Sequence, residues 1–223
     1  VPDGQYSFYL HSDDRTDIAA MATINTISQP LRGEFIRTAA TAGAVVYQVD
    51  ARLPALIPVF FAGQLSAVRL CAVMALVSGT WSSLTGLPDE PENGGAALPV
   101  SPETEYQRRR YTLTLQNGRS GERVESVLTE ASSRLRGDLL RNLIITGLAL
   151  HTTAPELPRL LASMPVPPTS VSELQALVQQ MAGTADVNRA AAAVPDTPAA
   201  SAAPVSGADT REIKKNMRRA FGD

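Results

Sequence analysis

Cysteine and histidine are scarce in this chain, and each scarcity removes a class of site. Cys71 is the one cysteine among 223 residues, so neither a disulfide nor a multi-cysteine metal site can form within one chain. Cys71 lies in the apolar run 67–74, which predicts a small buried side chain. The two histidines, His11 and His151, have no metal ligands or catalytic partners near them in the sequence, which disfavours a histidine-based site.

Motifs that bind phosphate or activate a nucleophile are also missing from the sequence. We find no phosphate-binding glycine loop, no Gly-x-Ser-x-Gly turn and no paired metal-ligand spacing. Asp13, Asp14 and Asp17 fall where the first turn of a helix favours negative charge, so a structural role is the simpler interpretation. We therefore expect no enzymatic activity, no metal and no cofactor.

Membrane-spanning and secretory segments are not evident either. The apolar stretch 59–77 contains Gln64 and Arg69, which favours a buried core helix over a membrane span. The polar N-terminus lacks the layout of a secretory signal, and from the missing initiator methionine we expect a chain that was trimmed or processed, with a short N-terminal piece absent. We expect a soluble intracellular protein with no membrane partner.

Positive charge is concentrated in the second half of the chain and comes almost entirely from arginine. Residues 1–103 carry 10 acids and 5 bases, whereas residues 104–223 carry 12 acids and 15 bases. Only Lys214 and Lys215 are lysines, and the planar guanidinium of arginine suits phosphate and base contacts better than an ammonium group. A coding bias toward GC-rich codons would produce the same ratio.

Helical periodicity predicts a mainly α fold, a helical bundle with one short β-hairpin and an extended C-terminal arm. Apolar residues recur at helical spacing in 13–29, 33–49 and 65–76. The alternating sequence from Tyr111 to Leu115, followed by Asn117-Gly118, predicts the hairpin near residues 110–124. The period then returns to that of a helix, which predicts one long helix over 122–150.

Changes in composition divide the chain into four regions. We predict an N-terminal arm over 1–12, with 6–10 as a short strand or a docking segment, and a helical core over 13–183 with an acidic loop at 87–103. Ser170 and Glu173 form a capping-box pattern before the last core helix, which we expect to end at Gly183. An Ala/Pro/Ser-rich linker over 184–209 and a basic amphipathic helix over 210–223 complete the chain.

Two groups of arginines are candidate RNA contacts. Arg108, Arg109 and Arg110 precede Tyr111, so phosphate neutralisation could be combined with stacking of the ring on a base. A solvated strand entry is the equally weighted alternative. The second group would form a stripe on the predicted long helix, where intrahelical ion pairing is the alternative; it comprises Arg123, Arg134 and Arg141.

The C-terminal helix has an apolar stripe formed by Ile213, Met217 and Phe221. These side chains could dock into a groove on a neighbouring subunit, with the linker setting the reach. The basic residues around them could instead hold RNA phosphates, or the segment could be a frayed terminus.

The sequence from Ala190 to Ser206, dense in alanine, proline and serine, resembles the proline-alanine-serine-rich proteins of polymycoviruses. That resemblance implies a protein that associates with viral double-stranded RNA in place of a closed capsid, in some members as filaments. It carries no residue motif that can be transferred. Other helical coats of flexible filamentous RNA viruses share the plan of a helical body with extended arms.

The leading hypothesis from the sequence is a viral coat or nucleocapsid protein that coats genomic RNA without sequence specificity and self-assembles through its terminal arms. It implies RNA and further copies of the chain as partners, and a location in the virion and the host cytoplasm. The alternative is a protein–protein adaptor whose tethered C-terminal helix docks on a partner.

Overall fold

The computed structural model describes residues 4–80 and 107–192, with side chains in 4–80 and 107–183. Ten α-helices and β-strands lie in these residues, together with one short 3-10 helix at Gln29–Leu31. In chain order they are β1 (Gln5–His11), α1 (Arg15–Asn25), α2 (Arg32–Val49), α3 (Leu53–Phe60), α4 (Ala67–Ser78), β2 (Arg108–Thr114), α5 (Arg119–Glu130), α6 (Arg136–Thr153), α7 (Leu157–Ser163) and α8 (Val171–Ala192). The prediction of a mainly helical fold with a small antiparallel sheet is confirmed.

The element order repeats, because one strand followed by four helices occurs twice. Each helix of the second set begins 104 positions after its counterpart in the first. The sequence repeats with it: Leu-Arg-Gly-Glu at 31–34 corresponds to Leu-Arg-Gly-Asp at 135–138, and Leu-Pro at 53–54 corresponds to Leu-Pro at 157–158. The part of the chain from β1 to α8 is therefore an internal duplication, which helical periodicity alone did not predict.

The sheet joins the two repeats. Strand β1 pairs antiparallel with β2, in a register that runs from Gln5 opposite Thr114 to His11 opposite Arg108. The predicted hairpin over 110–124 is wrong, because the partner of β2 comes from the N-terminus and α5 begins directly after Gly118. Gly118 has a φ of 133°, a conformation that glycine adopts easily, and here it starts a helix and not a returning strand.

The predicted N-terminal arm thus contains β1, an integral part of the body. Its alternate residues Phe8 and Leu10 are fully buried under the sheet, as is Leu113 of β2. Period-two burial of this kind fixes the register, because a slip by one residue would turn the buried side chains to solvent.

Helices α2 and α6 pack against each other at the centre of the core through a pair of equivalent glycines. A Cβ on Gly43 would lie 2.0 Å from the carbonyl oxygen of Leu143, and a Cβ on Gly147 would lie 2.2 Å from that of Ala39. Ala39 and Leu143 are themselves 104 positions apart, so the contact is the same when viewed from either helix. This reciprocal contact indicates an approximate twofold axis relating the repeats.

The predicted long helix over 122–150 is wrong, because the helix is interrupted between the end of α5 and the start of α6. Ala131 is extended, and the Nε of Arg136 donates to the carbonyls of Leu128 and Ala131 at 3.1 and 3.2 Å, which satisfies the end of α5. Arg32 makes the equivalent bond after α1, to the carbonyl of Ile27 at 2.8 Å. Apolar residues continue on both sides of each break, which is why their periodicity conceals it.

A similar break divides the apolar stretch 59–77, which was predicted to be one buried helix. Helix α3 ends at Phe60, a connection follows, and α4 begins after Ser66, whose hydroxyl accepts the N–H of Arg69. The proline-containing segment 52–58 is mostly α3, and Pro54 occupies the first turn of this helix, where its missing N–H is not needed.

The last helix confirms its predicted cap and extends beyond its predicted end. The Ser170 hydroxyl accepts the N–H of Glu173 at 3.2 Å, and the Glu173 carboxylate accepts the N–H of Thr169 at 2.8 Å. Helix α8 continues to Ala192, past the expected end at Gly183 and into the predicted linker over 184–209. The rest of that linker, the acidic loop at 87–103 and the helix at 210–223 lie outside the described residues.

Candidate nucleic-acid interface

The face of the β1–β2 ribbon that points away from the helices is polar and contains no carboxylate. Four residues of β1 and four of β2 alternate with the inward-facing ones and form this outer face: Gln5, Ser7, Tyr9, His11, Arg108, Arg110, Thr112 and Thr114. All four from β2 are exposed. Two arginines among eight residues without an acid give this surface a positive charge, although the whole chain is slightly negative.

The two arginines of the outer face are held by residues of the opposite strand. The guanidinium carbon of Arg108 lies 3.5 Å from the centroid of the Tyr9 ring, a cation–π contact. Arg110 donates to the Ser7 hydroxyl from Nε at 3.1 Å and from Nη2 at 2.9 Å. These contacts orient both guanidiniums across the ribbon while their remaining N–H groups can donate to a ligand.

The first turns of α2 and α6 lie next to the sheet. A Cβ on Gly137, in the first turn of α6, would lie 3.4 Å from the carbonyl oxygen of Ser7 in β1. Arg32 opens α2, and its charge acts on Tyr111 of β2. In the described part of the chain, neither helix has a side chain that caps its first turn, which leaves the first N–H groups available to a ligand, although each first turn also carries one acid, Glu34 in α2 and Asp138 in α6.

One end of the ribbon is fixed by a buried carboxylate. Asp17 is fully buried and accepts the backbone N–H of His11 at 2.9 Å and the Nε of Arg141 at 2.6 Å, and Asp14 lies 3.4 Å from the same guanidinium. Burial raises the pKa of Asp17, against the opposing effects of the His11 N–H and Arg141. This network joins β1, α1 and α6 and positions the strand that carries Tyr9.

The four residues of the predicted basic cluster are divided between the two faces of β2. Arg108 and Arg110 are on the outer face, whereas Tyr111 faces the helices and stacks on Phe8 with a centroid separation of 5.2 Å. Tyr111 therefore does not present its ring to a nucleic-acid base, and burial raises the pKa of its hydroxyl. Arg109 is exposed but points to the inner side, near the Tyr111 ring.

The predicted arginine stripe does not exist, because its three members belong to three segments. Arg123 is in α5, Arg134 is exposed in the turn after it, and Arg141 is in α6, paired with Asp17. The ion-pairing alternative applies to Arg141, though across helices and not within one. Sequence reasoning missed the outer residues of β1, which pairing with β2 would have revealed.

Ile213, Met217 and Phe221, proposed for subunit docking, lie outside the described residues. Within the described residues, no three histidine, cysteine or carboxylate side chains are placed to hold a metal ion, and no helix is long and apolar enough to cross a membrane. Cys71 is buried, and that burial raises the pKa of its thiol.

Comparison with known proteins gives one family. A model described as plasmid stability protein matches residues 4–74 and 109–178, together more than half of the chain. The chain belongs to this plasmid stability family. No curated protein and no solved structure matches it significantly.

The plasmid stability family corrects the hypothesis drawn from the sequence. A viral RNA coat and a location in the virion are wrong, since the family is one of plasmid stability and not of capsid proteins. The resemblance to proline-alanine-serine-rich viral proteins was compositional and rested on residues 190–206, which lie beyond the matched segments. The two matched segments begin 105 positions apart and end 104 positions apart, and so they coincide with the two structural repeats.

Proposed function

We propose that this plasmid stability protein binds double-stranded DNA and inserts its β1–β2 ribbon into the major groove. The observation that carries the proposal is the outer face of the ribbon, which combines arginine, glutamine, threonine and serine side chains without any carboxylate. These are the side chains that donate to base edges and phosphates in DNA complexes. The function is binding, and it requires no catalytic step.

The dimensions of the ribbon favour duplex DNA over duplex RNA. Two paired strands lie about 4.8 Å apart, so a two-stranded ribbon with its side chains fits a major groove about 12 Å wide. Proteins with two-stranded ribbons are known to enter the major groove in this way. The major groove of A-form RNA is too deep and narrow to be read in the same manner.

The helices beside the ribbon supply the second part of the interface. Each repeat contributes its strand and its first two helices to a ribbon–helix–helix arrangement. Helix α6 of the second repeat starts beside β1 of the first repeat, and α2 of the first repeat starts beside β2 of the second. An uncapped helix N-terminus favours phosphate, because its N–H groups point outward and its dipole is positive there. With the ribbon in the groove, the two helix starts would face the phosphate backbones on its two sides.

The ribbon is complete within a single chain, because both of its strands come from one polypeptide. One copy can therefore form the whole interface. Self-assembly into larger oligomers stays a prediction, and the segment expected to mediate it lies outside the described residues.

The test is a fluorescence-anisotropy titration of the full-length protein with a mixed-sequence DNA duplex at several salt concentrations. We expect Arg110→Ala to weaken binding by about 1–3 kcal/mol, or to lower the salt dependence by about one unit if Arg110 contacts a phosphate. Arg109→Ala is the matched control, since it removes the same charge from the adjacent position on the other face of β2. Equal losses from the two variants would show that the outer face is not the binding surface.

A further inference from the structure

The two strands of the ribbon are equivalent elements of the two repeats. The approximate twofold axis that relates the repeats therefore passes between β1 and β2. Inward-facing Tyr6, Phe8 and Leu10 correspond to Tyr111, Leu113 and Leu115 at an offset of 105 residues. At this offset Ser7 corresponds to Thr112, and Ser7 is also the direct partner of Thr112 in the ladder. The axis therefore passes through this pair.

The residues on either side of the axis differ in chemistry. On one side Tyr9 is opposite Arg110, and His11 is opposite Arg108 further out. On the other side the equivalent pair is Thr114 opposite Gln5. One end of the ribbon is thus cationic and aromatic, whereas the other end carries a carboxamide and a hydroxyl.

These side chains match different bases. A guanidinium donates two hydrogen bonds to the O6 and N7 of guanine, whereas a glutamine carboxamide forms a bidentate pair with the N6 and N7 of adenine. Arg110 is already oriented by the Ser7 hydroxyl, and Arg108 by the Tyr9 ring. Gln5 and Thr114 are both exposed at the opposite end.

We propose that the chain recognises a DNA site made of two unlike halves, with guanine contacted at the Arg108/Arg110 end and adenine at the Gln5/Thr114 end. This inference rests on the proposed function, because it concerns the bases read by the same ribbon. A homodimer of identical strands presents the same residues to both halves of its site. Here the covalent link between the repeats has allowed the two halves to differ, so the protein binds in one orientation.

The experiment is selection of binding sites by the full-length protein from a pool of duplexes with a randomised segment. The expected consensus is not palindromic, with guanine preferred at one position and adenine at the position related to it by the twofold axis. Replacing either base should weaken binding about tenfold, as expected for the loss of one bidentate contact. Arg109→Gln, a change on the inner side of the same strand, should leave the consensus unchanged.

A symmetrising variant sharpens the test. Gln5→Arg places arginine at both related positions, so its consensus should become palindromic there, with guanine on both sides, while its circular dichroism stays that of the wild type. A wild-type consensus that is palindromic or has no base preference would overturn the inference of unlike halves while leaving DNA binding intact. Failure to recover any duplex at any salt concentration would instead overturn the proposed function, and this inference with it.

Discussion

The two repeats of this chain build the same substructure and differ where that substructure meets solvent. Positions that share a residue in both repeats include the glycines at the crossing of α2 and α6 and the arginines that cap α1 and α5. Positions that differ include Gln5 and its counterpart Arg110 on the outer face. The comparison separates residues required by the fold from residues that are free to specify a ligand.

The repeats also differ at one buried junction. Asp17 of α1 corresponds to Gly121 of α5, and a Cβ on Gly121 would lie 2.1 Å from the carbonyl oxygen of Gln116. The first repeat connects β1 to α1 through the hydrogen bond from the His11 N–H to Asp17, whose carboxylate also pairs with Arg141 of α6, whereas the second repeat does so by close backbone packing. Equivalent geometry can therefore be reached by electrostatics in one repeat and by sterics in the other.

The largest expected effect is at the shared helix crossing. Gly43→Ala and Gly147→Ala should each lower the free energy of unfolding by about 3 kcal/mol or more, because the new methyl group would meet backbone that cannot rotate away. The control is Gly183→Ala in α8, where nothing lies within 4 Å and where the higher helix propensity of alanine should add up to about 1 kcal/mol.

Urea denaturation of the three variants measures these effects. Gly43→Ala and Gly147→Ala should lower the free energy of unfolding by similar amounts, because the two glycines contact equivalent backbone positions, Leu143 and Ala39. Stability equal to that of the wild type for either crossing variant would refute the close approach of α2 and α6.

The next largest effect is at the junction where the repeats differ. Asp17→Ala should cost about 2–3 kcal/mol, because it leaves Arg141 and the N–H of His11 without their buried acceptor. The matched change at the counterpart of Arg141, Arg37→Ala, should cost less than about 1 kcal/mol. Arg37 has no ion-pair partner in the described residues. Thermal unfolding of both variants measures the two losses of stability. Equal losses would contradict a stabilising role for Asp17 that the second repeat lacks.

Asp17→Asn separates the charge of this side chain from its hydrogen bonds. Burial raises the pKa of Asp17, so the folded state holds the proton more tightly than the unfolded state does. The contribution of this group to stability therefore falls as pH rises from the usual aspartate pKa to the raised value. The unfolding free energy of the wild type minus that of Asp17→Asn should decrease through this window. Asp50 and Glu173, whose pKa values are lowered by their hydrogen bonds, are present in both proteins and cancel.

A smaller, symmetric effect is expected at the two capping arginines. Arg32→Ala and Arg136→Ala should each cost about 1 kcal/mol, because each removes charge-assisted hydrogen bonds to the last carbonyls of the preceding helix. Arg134→Ala, at an exposed position in the turn before α6, should change stability by less than about 0.5 kcal/mol. Chemical denaturation of all three variants provides the comparison, and a loss confined to one repeat would contradict their equivalence.

Sequence periodicity was sufficient for the helical class of the fold but not for its topology. The helix over 33–49 and the start of the helix after Ser170 were predicted correctly, because each helix carries an apolar face and the second also a capping box. The pairing of β1 with β2 was missed, because the Asn117-Gly118 turn signal suggested a local hairpin and the true partner is about 100 residues away. Comparison of the chain with itself would have found it, through Leu-Arg-Gly at 31–33 and 135–137.

The candidate site was predicted in part. Arg108 and Arg110 were singled out as a basic cluster, and they do lie on the outer face. Tyr9, Ser7 and Gln5 were missed, because a strand face becomes apparent only when its partner is known. Arg141 was assigned to a surface stripe, since nothing in the local sequence shows that Asp17, 124 residues away, binds it.

Methylation interference at guanine N7 shows whether the ribbon binds in the major groove. This atom lies in the major groove, so a duplex recovered by selection and partly methylated there should lose binding at the guanines contacted by the ribbon. We expect loss of binding at guanines in one half of the site, and this loss should disappear in the Arg108→Ala/Arg110→Ala variant. Binding that is indifferent to N7 methylation but abolished by a ligand filling the minor groove would contradict it.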